Sequence, residues 1–177
     1  MKRIVALIIP LLILANLASA QKVTVLKSTI KFQLKNLGVN TGGSINGLTA
    51  NMDFNPDKPE TSTIEAILDV KSINTDNDLR DTHLRSDEFF DVAKYPTITM
   101  KSVSLKHKSG DKYTGQFNLT IKGITKTFEV PFTYTTDAST ATFKGGLKLS
   151  RLDFNIGGKS LVMSNDVSVN IEVQVAK

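Results

Sequence analysis

The sequence contains no cysteine and no tryptophan, and it has only two histidines. Without thiols the chain can form no disulfide, perform no thiol chemistry and hold no metal through cysteine. The two histidines, His83 and His107, are far apart in the sequence, and no HExxH or HxH pattern occurs. Such short spacings are the sequence mark of many imidazole metal sites. We therefore expect no metal and no cofactor.

The chain also lacks long basic runs and, after its N-terminus, long apolar runs. The formal net charge of +5 is spread along the sequence, whereas nucleic-acid-binding domains carry clustered lysine and arginine. No apolar stretch beyond residue 20 approaches the roughly 20 residues that cross a bilayer. We expect no nucleic-acid partner and no stable membrane span.

The N-terminus has the pattern of a cleavable signal peptide. Lys2 and Arg3 precede an apolar run over residues 4–17, and Ala18-Ser19-Ala20 supplies a small-residue cleavage site. The apolar run is short for a membrane anchor, and the small residues follow it at once. The sequence therefore predicts a signal peptide over residues 1–20, cleaved after Ala20, and one domain over residues 21–177. This pattern also predicts a periplasmic or secreted location.

Alternation of apolar and polar residues dominates residues 21–177 and predicts half-buried β-strands. Segments rich in glycine, proline, asparagine and aspartate separate these runs and read as turns. Short connections between strands favour an antiparallel sheet. Alternation alone leaves two all-β folds open, because a sandwich fills its core by packing sheet on sheet, whereas a barrel of about eight strands can leave room for one small ligand.

One long segment, residues 79–96, interrupts the alternation. Asparagines and aspartates precede it, as at helix N-termini, and Tyr95-Pro96 favours extended backbone at its end. The pattern predicts a short helical excursion around residues 76–92.

This excursion places three polar side chains, Arg80, His83 and Arg85, beside Phe89 and Phe90. Two interpretations stay open. The polar side chains could bond to local carboxylates and hold the excursion to the rim of the fold. Alternatively, they could bind a phosphate, carboxylate or hydroxyl head group, for which the fork of arginine is suited.

Several segments together resemble the YceI-like family of lipocalin-like, polyisoprenoid-binding proteins. The most specific segments lie in the excursion, and the others lie before and after it along the chain. They are HLRS at 83–86, FFDV at 89–92, KYP at 94–96, FQLKNLG at 32–38, GQFNLTIKGITK at 115–126 and RLDFNIG at 151–157.

The resemblance implies an all-β fold, an extended eight-stranded antiparallel lipocalin-like barrel. It implies a lumen that accepts a long-chain isoprenoid or other amphiphilic lipid, such as a quinone-like lipid or a fatty amide or acid. A homodimer is one expected assembly, since several family members are dimers. Alternation and the excursion together predict the ligand-binding residues, which are Phe32, Leu34, Leu68, Arg80, His83, Arg85, Phe89, Phe90, Met100, Phe117, Leu119, Phe132 and Phe154.

The sequence departs from the family pattern at positions that could face the lumen. Asn36 stands where histidine is usual, Ala50 replaces a glycine, and Ile45 and Leu48 replace aromatic residues. These changes would alter the lumen or its mouth if the side chains point inward. The identity of a family ligand is therefore not carried over to this chain.

Three functions are compatible with the sequence. The favoured one is a binding protein that holds a long-chain lipid and performs no chemistry on it. The alternative is a non-catalytic stress-response or interaction module with a self-filled barrel. The third is a hydrolase or isomerase acting on a bound lipid, with His83 as its base. We expect no enzymatic activity, because residues in the arrangements typical of nucleophilic catalysis are missing.

Overall fold

The computed structural model describes residues 21–177, and the predicted signal peptide lies outside them. The described residues form ten β-strands, one α-helix and three short 3₁₀ turns. The strands and helix are β1 (Gln21–Lys22), β2 (Val25–Asn36), β3 (Val39–Ile45), β4 (Thr49–Asp53), β5 (Thr63–Asp69), α1 (Asp78–Arg85), β6 (Thr97–Ser109), β7 (Lys112–Ile121), β8 (Ile124–Thr136), β9 (Thr140–Ser150) and β10 (Asp166–Ala176).

The ten strands form a single antiparallel sheet that curls round to meet itself. β2 pairs with β10 on one side and with β3 on the other, while β1 pairs with β4. Because only residues 23–24 separate β1 from β2, the two act as one strand that joins both ends of the sheet. β3 and β4 likewise continue one another across residues 46–48. Counted in this way, the sheet has the eight strands that the resemblance implied, and the predicted barrel is confirmed.

The alternation in the sequence is reproduced as alternating burial along the strands. In β7, Phe117, Leu119 and Ile121 are buried, whereas Asn118 and Thr120 between them are only partly buried. This is the pleat of a strand with one face toward a core. The inward faces of all the strands thus supply the apolar interior of the barrel.

Connections between antiparallel strands alternate between two ends of the barrel, which differ in construction. At the lower end, the Phe54 ring lies between 4.7 and 6.1 Å from the rings of Tyr113, Phe132, Tyr134 and Phe143, measured between centroids. These five rings, the aromatic cluster, close that end. The upper end is covered by the long connections, residues 70–96 and 151–165.

The predicted helical excursion is present, but its helix is shorter than residues 76–92. Asn77 caps α1 by accepting a hydrogen bond from the Arg80 amide at 2.9 Å. The helix ends at Arg85 because Ser86 is extended, with φ −68° and ψ 169°. Turns follow, and Asp91 adopts a left-handed φ of 49°. They bring Phe89 and Phe90 back over the barrel.

The excursion is attached to the outer edge of β3 at a glycine. Ser44 and Asn74 exchange two backbone hydrogen bonds of 2.8 and 2.9 Å. A Cβ atom on the neighbouring Gly43 would lie 2.4 Å from the Asn74 carbonyl oxygen and 2.8 Å from Thr75 Cγ2. Only a residue without a side chain lets the two backbones approach so closely.

Gly43→Ala is therefore expected to reduce the free energy of unfolding by about 1–3 kcal/mol, the usual effect of forcing atoms into a packed contact. Gly158→Ala is the matched control, since a Cβ there meets no atom within 4 Å. Urea unfolding of both variants measures the difference. Equal stability of the two variants would contradict the close attachment of the excursion to β3.

Candidate functional site

The barrel encloses an apolar cavity of about 220 Å³. Side chains from the inward faces of the strands form its walls, two rings of the aromatic cluster, Phe132 and Phe143, form its floor, and Leu84, Phe89 and Phe90 cover it from above. A cavity of about 150 Å³ lined by leucine, isoleucine and phenylalanine stays dry and accepts small apolar molecules. This space is larger and has walls of the same kind, so it is suited to an apolar ligand.

Nine of the predicted ligand-binding residues line this cavity, which brings strands and excursion together in one site. They are Phe32, Leu34, Leu68, Phe89, Phe90, Met100, Phe117, Leu119 and Phe132. Their contact with a ligand stays a prediction.

Phe154, which the sequence predicts as a ligand-binding wall residue, does not line the cavity. Its side chain is fully buried and stacks on Phe128, with 6.2 Å between ring centroids and 26° between ring planes. It belongs to the 3₁₀ turn Arg151–Phe154 rather than to a strand. Alternation along a strand therefore does not determine which way the Phe154 side chain faces. The ring packs beside the cavity wall instead of in it.

The two arginines of the excursion bond to three backbone carbonyls and one threonine hydroxyl, and they do not line the cavity. Arg80 donates from Nε to Thr75 Oγ1 at 2.8 Å and from Nη2 to the Thr75 carbonyl at 2.6 Å. Arg85 donates from Nε to the Lys71 carbonyl at 3.0 Å and from Nη2 to the Ile73 carbonyl at 2.8 Å. Both arginines thus fix the segment before α1. Bonds to local carboxylates, the first of the two interpretations, are not what these arginines form: their partners are the carbonyls and the Thr75 hydroxyl.

His83 also lies outside the cavity. Its Nε2 is 2.8 Å from Glu88 Oε2, and its side chain is 57% exposed. Its ring packs edge-on against Phe89, with 4.8 Å between centroids. Here the interpretation as a partner of a local carboxylate fits the geometry. An imidazole turned toward solvent is badly placed to act as a base on a molecule inside the barrel.

Arg151 is a buried polar residue of the site that the sequence did not predict, although it stands in the RLDFNIG segment. The side chain is only 3% exposed and touches the cavity. Its Nη1 donates to the carbonyls of Ile156 and Gly158 at 2.9 and 2.7 Å, and its Nε donates to the Ser164 carbonyl at 3.0 Å. Nη2 donates to Asn165 Oδ1 at 3.1 Å.

These bonds make Arg151 the anchor of residues 156–165, which cross the upper end of the barrel. Burial lowers the pKa of its guanidinium, which nevertheless stays protonated because a free arginine titrates so far above neutral pH. No carboxylate within salt-bridge distance compensates the charge among residues 23–177, so carbonyl oxygens alone stabilise it.

Other wall residues were missed for reasons that differ. Ala66 lies between Ile64 and Leu68 on β5, and its inward position follows from their alternation. Ile156 and Met163 line the cavity from the irregular connection between β9 and β10. No periodic signal exists in such a segment, so only the folded structure reveals them.

Residues 21–177 contain no cluster of three histidine, cysteine or carboxylate side chains arranged to hold a metal ion. None of the helices among these residues has the length and hydropathy of a bilayer-crossing segment. What the site offers is apolar surface enclosed by a barrel.

Comparison with known proteins gives the same picture. The YceI-like domain profile matches residues 22–175. A UPF0312 protein of Azotobacter vinelandii is 29% identical over 152 residues, covering 82% of this chain and 79% of that protein. A UPF0312 protein of Yersinia pestis is 36% identical over 98 residues, which cover 55% of this chain and 50% of that protein.

Solved structures share the barrel. BcnA of Burkholderia cenocepacia superimposes with a TM-score of 0.79 at 26% identity, covering 83% of this chain and 95% of BcnA. A polyisoprenoid binding domain from Saccharophagus degradans gives a TM-score of 0.73 over 89% of this chain and 98% of that domain, and at 16% identity it supports the fold alone. Since the profile spans nearly the whole described barrel and its cavity, the chain belongs to the YceI-like domain family.

Proposed function

We propose that this protein binds a long-chain apolar lipid in the barrel cavity, for transport, storage or sequestration, and performs no chemistry on it. The observation that carries the proposal is the cavity of about 220 Å³ with apolar walls inside the barrel. A domain of the same fold is described as polyisoprenoid binding, and the proposal extends that ligand class to this chain. A polyisoprenoid, a quinone-like lipid and a fatty amide or acid all offer the required apolar chain.

Burial of the chain supplies the binding energy in this proposal. Each buried CH₂ group contributes roughly 0.8 kcal/mol, so a five-carbon isoprene unit contributes up to about 4 kcal/mol before the entropy of association is subtracted. Few polar contacts are then needed. This agrees with walls whose only charged members are Lys144 and Arg151.

The size of the cavity implies that a long chain extends beyond it. Small-molecule pockets usually measure about 300–1,000 Å³, and this cavity is smaller. We infer that one part of the lipid chain fills the cavity and the rest extends out through the upper end, where Leu84, Phe89 and Phe90 are only partly buried. Ile45 and Leu48, two departures from the family pattern, line the cavity, so its shape is particular to this chain.

The two other functions fit the structure less well. A self-filled barrel would leave no cavity, yet one remains between the aromatic cluster and the excursion. An enzyme acting through His83 would need that ring at the cavity, but the ring faces solvent beside Glu88. The predicted periplasmic or secreted location and the predicted homodimer remain part of the proposal.

The affinity for isoprenoids of graded length tests the proposal. Protein that has been unfolded to remove bound lipid and then refolded is titrated with prenyl alcohols of increasing chain length. We expect the affinity to rise steeply with each added unit until the cavity is full, and then to level off. Affinity that is independent of chain length would contradict binding through the apolar cavity.

A further inference from the structure

Large apolar side chains are exposed mainly at the upper end of the barrel. Seven such side chains in residues 23–177 are at least half exposed, and five of them lie at this end. Four of the five stand on two neighbouring loops: Leu37 is 73% exposed, Val39 66%, Leu161 106% and Val162 51%. We name these four residues the upper tip. Apolar residues gathered in this way mark an interaction surface more often than scattered single ones do.

The two loops of the upper tip are bonded to each other. The Leu37 amide donates to the Val162 carbonyl at 2.8 Å, and the Ser164 amide donates to the Lys35 carbonyl, also at 2.8 Å. Asn36 and Met163 form an isolated β-bridge between these bonds. The two loops that carry the exposed side chains are therefore held side by side by backbone pairing.

The upper tip is continuous with the cavity. Leu34, which precedes the first loop, and Met163, which follows Val162, both line the cavity wall. A surface that contacted the upper tip would thus lie at the mouth of the cavity.

The positive charge of the two loops favours an anionic partner. Residues 35–41 and 157–164 contain Lys35 and Lys159 and no carboxylate. Both lysines are exposed. Leucine and valine flanked by lysine is the composition of segments that lie in the boundary between head groups and acyl chains of anionic membranes.

We propose that the upper tip inserts into the surface of an anionic lipid bilayer and brings the mouth of the cavity against it. The leucines and valines enter the boundary of the acyl region, and the two lysines contact lipid phosphates. A lipid then passes between bilayer and cavity without exposing its chain to water. Transfer of a lipid as the purpose of this attachment rests on the proposed function, whereas the attachment itself requires only the upper tip.

Sedimentation with vesicles tests the attachment. The probes are vesicles of phosphatidylethanolamine and phosphatidylglycerol in equal amounts, with phosphatidylcholine vesicles as the neutral comparison. The double variant Leu37→Ser/Leu161→Ser is expected to partition roughly a hundredfold less onto the anionic vesicles, because each inserted leucine contributes about a tenfold factor. The double variant Leu26→Ser/Val103→Ser is the matched control, since it removes two other exposed apolar side chains.

A single tryptophan reports the depth of insertion, because the chain has none of its own. Leu161→Trp is expected to shift its fluorescence to the blue on addition of anionic vesicles, whereas Val103→Trp is expected to stay unchanged. Binding should also weaken with added salt, since the lysines contribute through charge.

The proposal is overturned if wild type and upper-tip variant sediment equally, or if both tryptophans shift alike. It is also overturned if the upper tip instead joins two copies of the chain, which analytical ultracentrifugation would show as a dimer lost in Leu37→Ser/Leu161→Ser. Lipid bound to the protein is measured by mass spectrometry in the same samples. If Leu37→Ser/Leu161→Ser keeps its bound lipid but loses vesicle binding, the upper tip and the cavity act separately. If the wild type binds vesicles but carries no lipid, the proposed function fails and the attachment to the bilayer still holds.

Discussion

Replacing Ala66 by phenylalanine is expected to remove the binding of long apolar lipids while the barrel stays folded. Ala66 lines the cavity from β5, opposite Ala50 on β4 and Met100 on β6 in the sheet register. A phenyl ring at this position occupies the space of at least one isoprene unit. Because such a unit contributes up to about 4 kcal/mol, the affinity should fall by roughly a hundredfold or more.

The matched control is Ile67→Phe, which places the same ring on the opposite face of the same strand. Ile67 is the next residue of β5 and does not line the cavity. Its substitution should leave lipid affinity unchanged. Titration with a long prenyl alcohol compares the two variants, and circular dichroism confirms that both are folded. If both bind as wild type does, the cavity is not the binding site.

Arg151→Met is expected to reduce the free energy of unfolding by about 2–4 kcal/mol. The substitution removes a charged donor that serves four oxygen atoms of residues 156–165. Hydrogen bonds to charged groups contribute about 1.5–3 kcal/mol each, but water can reach the exposed oxygens of Gly158 and Asn165 once the guanidinium is gone. The loss is therefore smaller than four full contributions. Urea unfolding measures it.

Two comparisons show whether the geometry of the arginine fork is responsible. Arg151→Lys keeps the charge but has one nitrogen in place of three, so it should lose most of the same stability. Lys148→Met removes an exposed cation from the end of β9 and should change stability by no more than about 0.5 kcal/mol. A fully stable Arg151→Lys protein would contradict the role of Arg151 as anchor of the loop.

Arg151→Met should also affect the mouth of the cavity. Ile156 and Met163, which line the cavity, belong to the segment that Arg151 holds. Release of that segment should speed the dissociation of a bound lipid. The upper tip shares this segment through Val162, so the anchor contributes to both proposed surfaces.

Local pattern was enough to predict the walls of the site that lie on strands. Alternation places Phe117 and Leu119 inward because successive side chains of a strand point to opposite faces, and the structure has both in the cavity wall. The eight-stranded barrel, in contrast, came from the resemblance. Alternation describes one strand at a time and contains no information on whether a sheet closes.

The parts that could not be predicted lie outside the strands. Phe154 follows a strand but belongs to a 3₁₀ turn, where a period of two no longer holds. Arg151 looked like part of a motif, and its role depends on carbonyls up to fourteen residues away in the sequence. Arg80, His83 and Arg85 have the composition of a head-group site, yet the two arginines bond to residues 71–75 before α1 and His83 pairs with Glu88. Composition shows which side chains are present, whereas only the fold determines their hydrogen-bond partners.

The most direct test of lipid binding is the mass spectrum of what the protein carries when it is purified from its native source without detergent. Solvent extracts of wild type and of Ala66→Phe are compared at equal protein amounts. We predict a long-chain apolar lipid in wild type, in an amount close to that of the protein, and little of it in the variant. An extract of wild type with no more lipid than the variant would contradict a barrel that holds a lipid in its cavity.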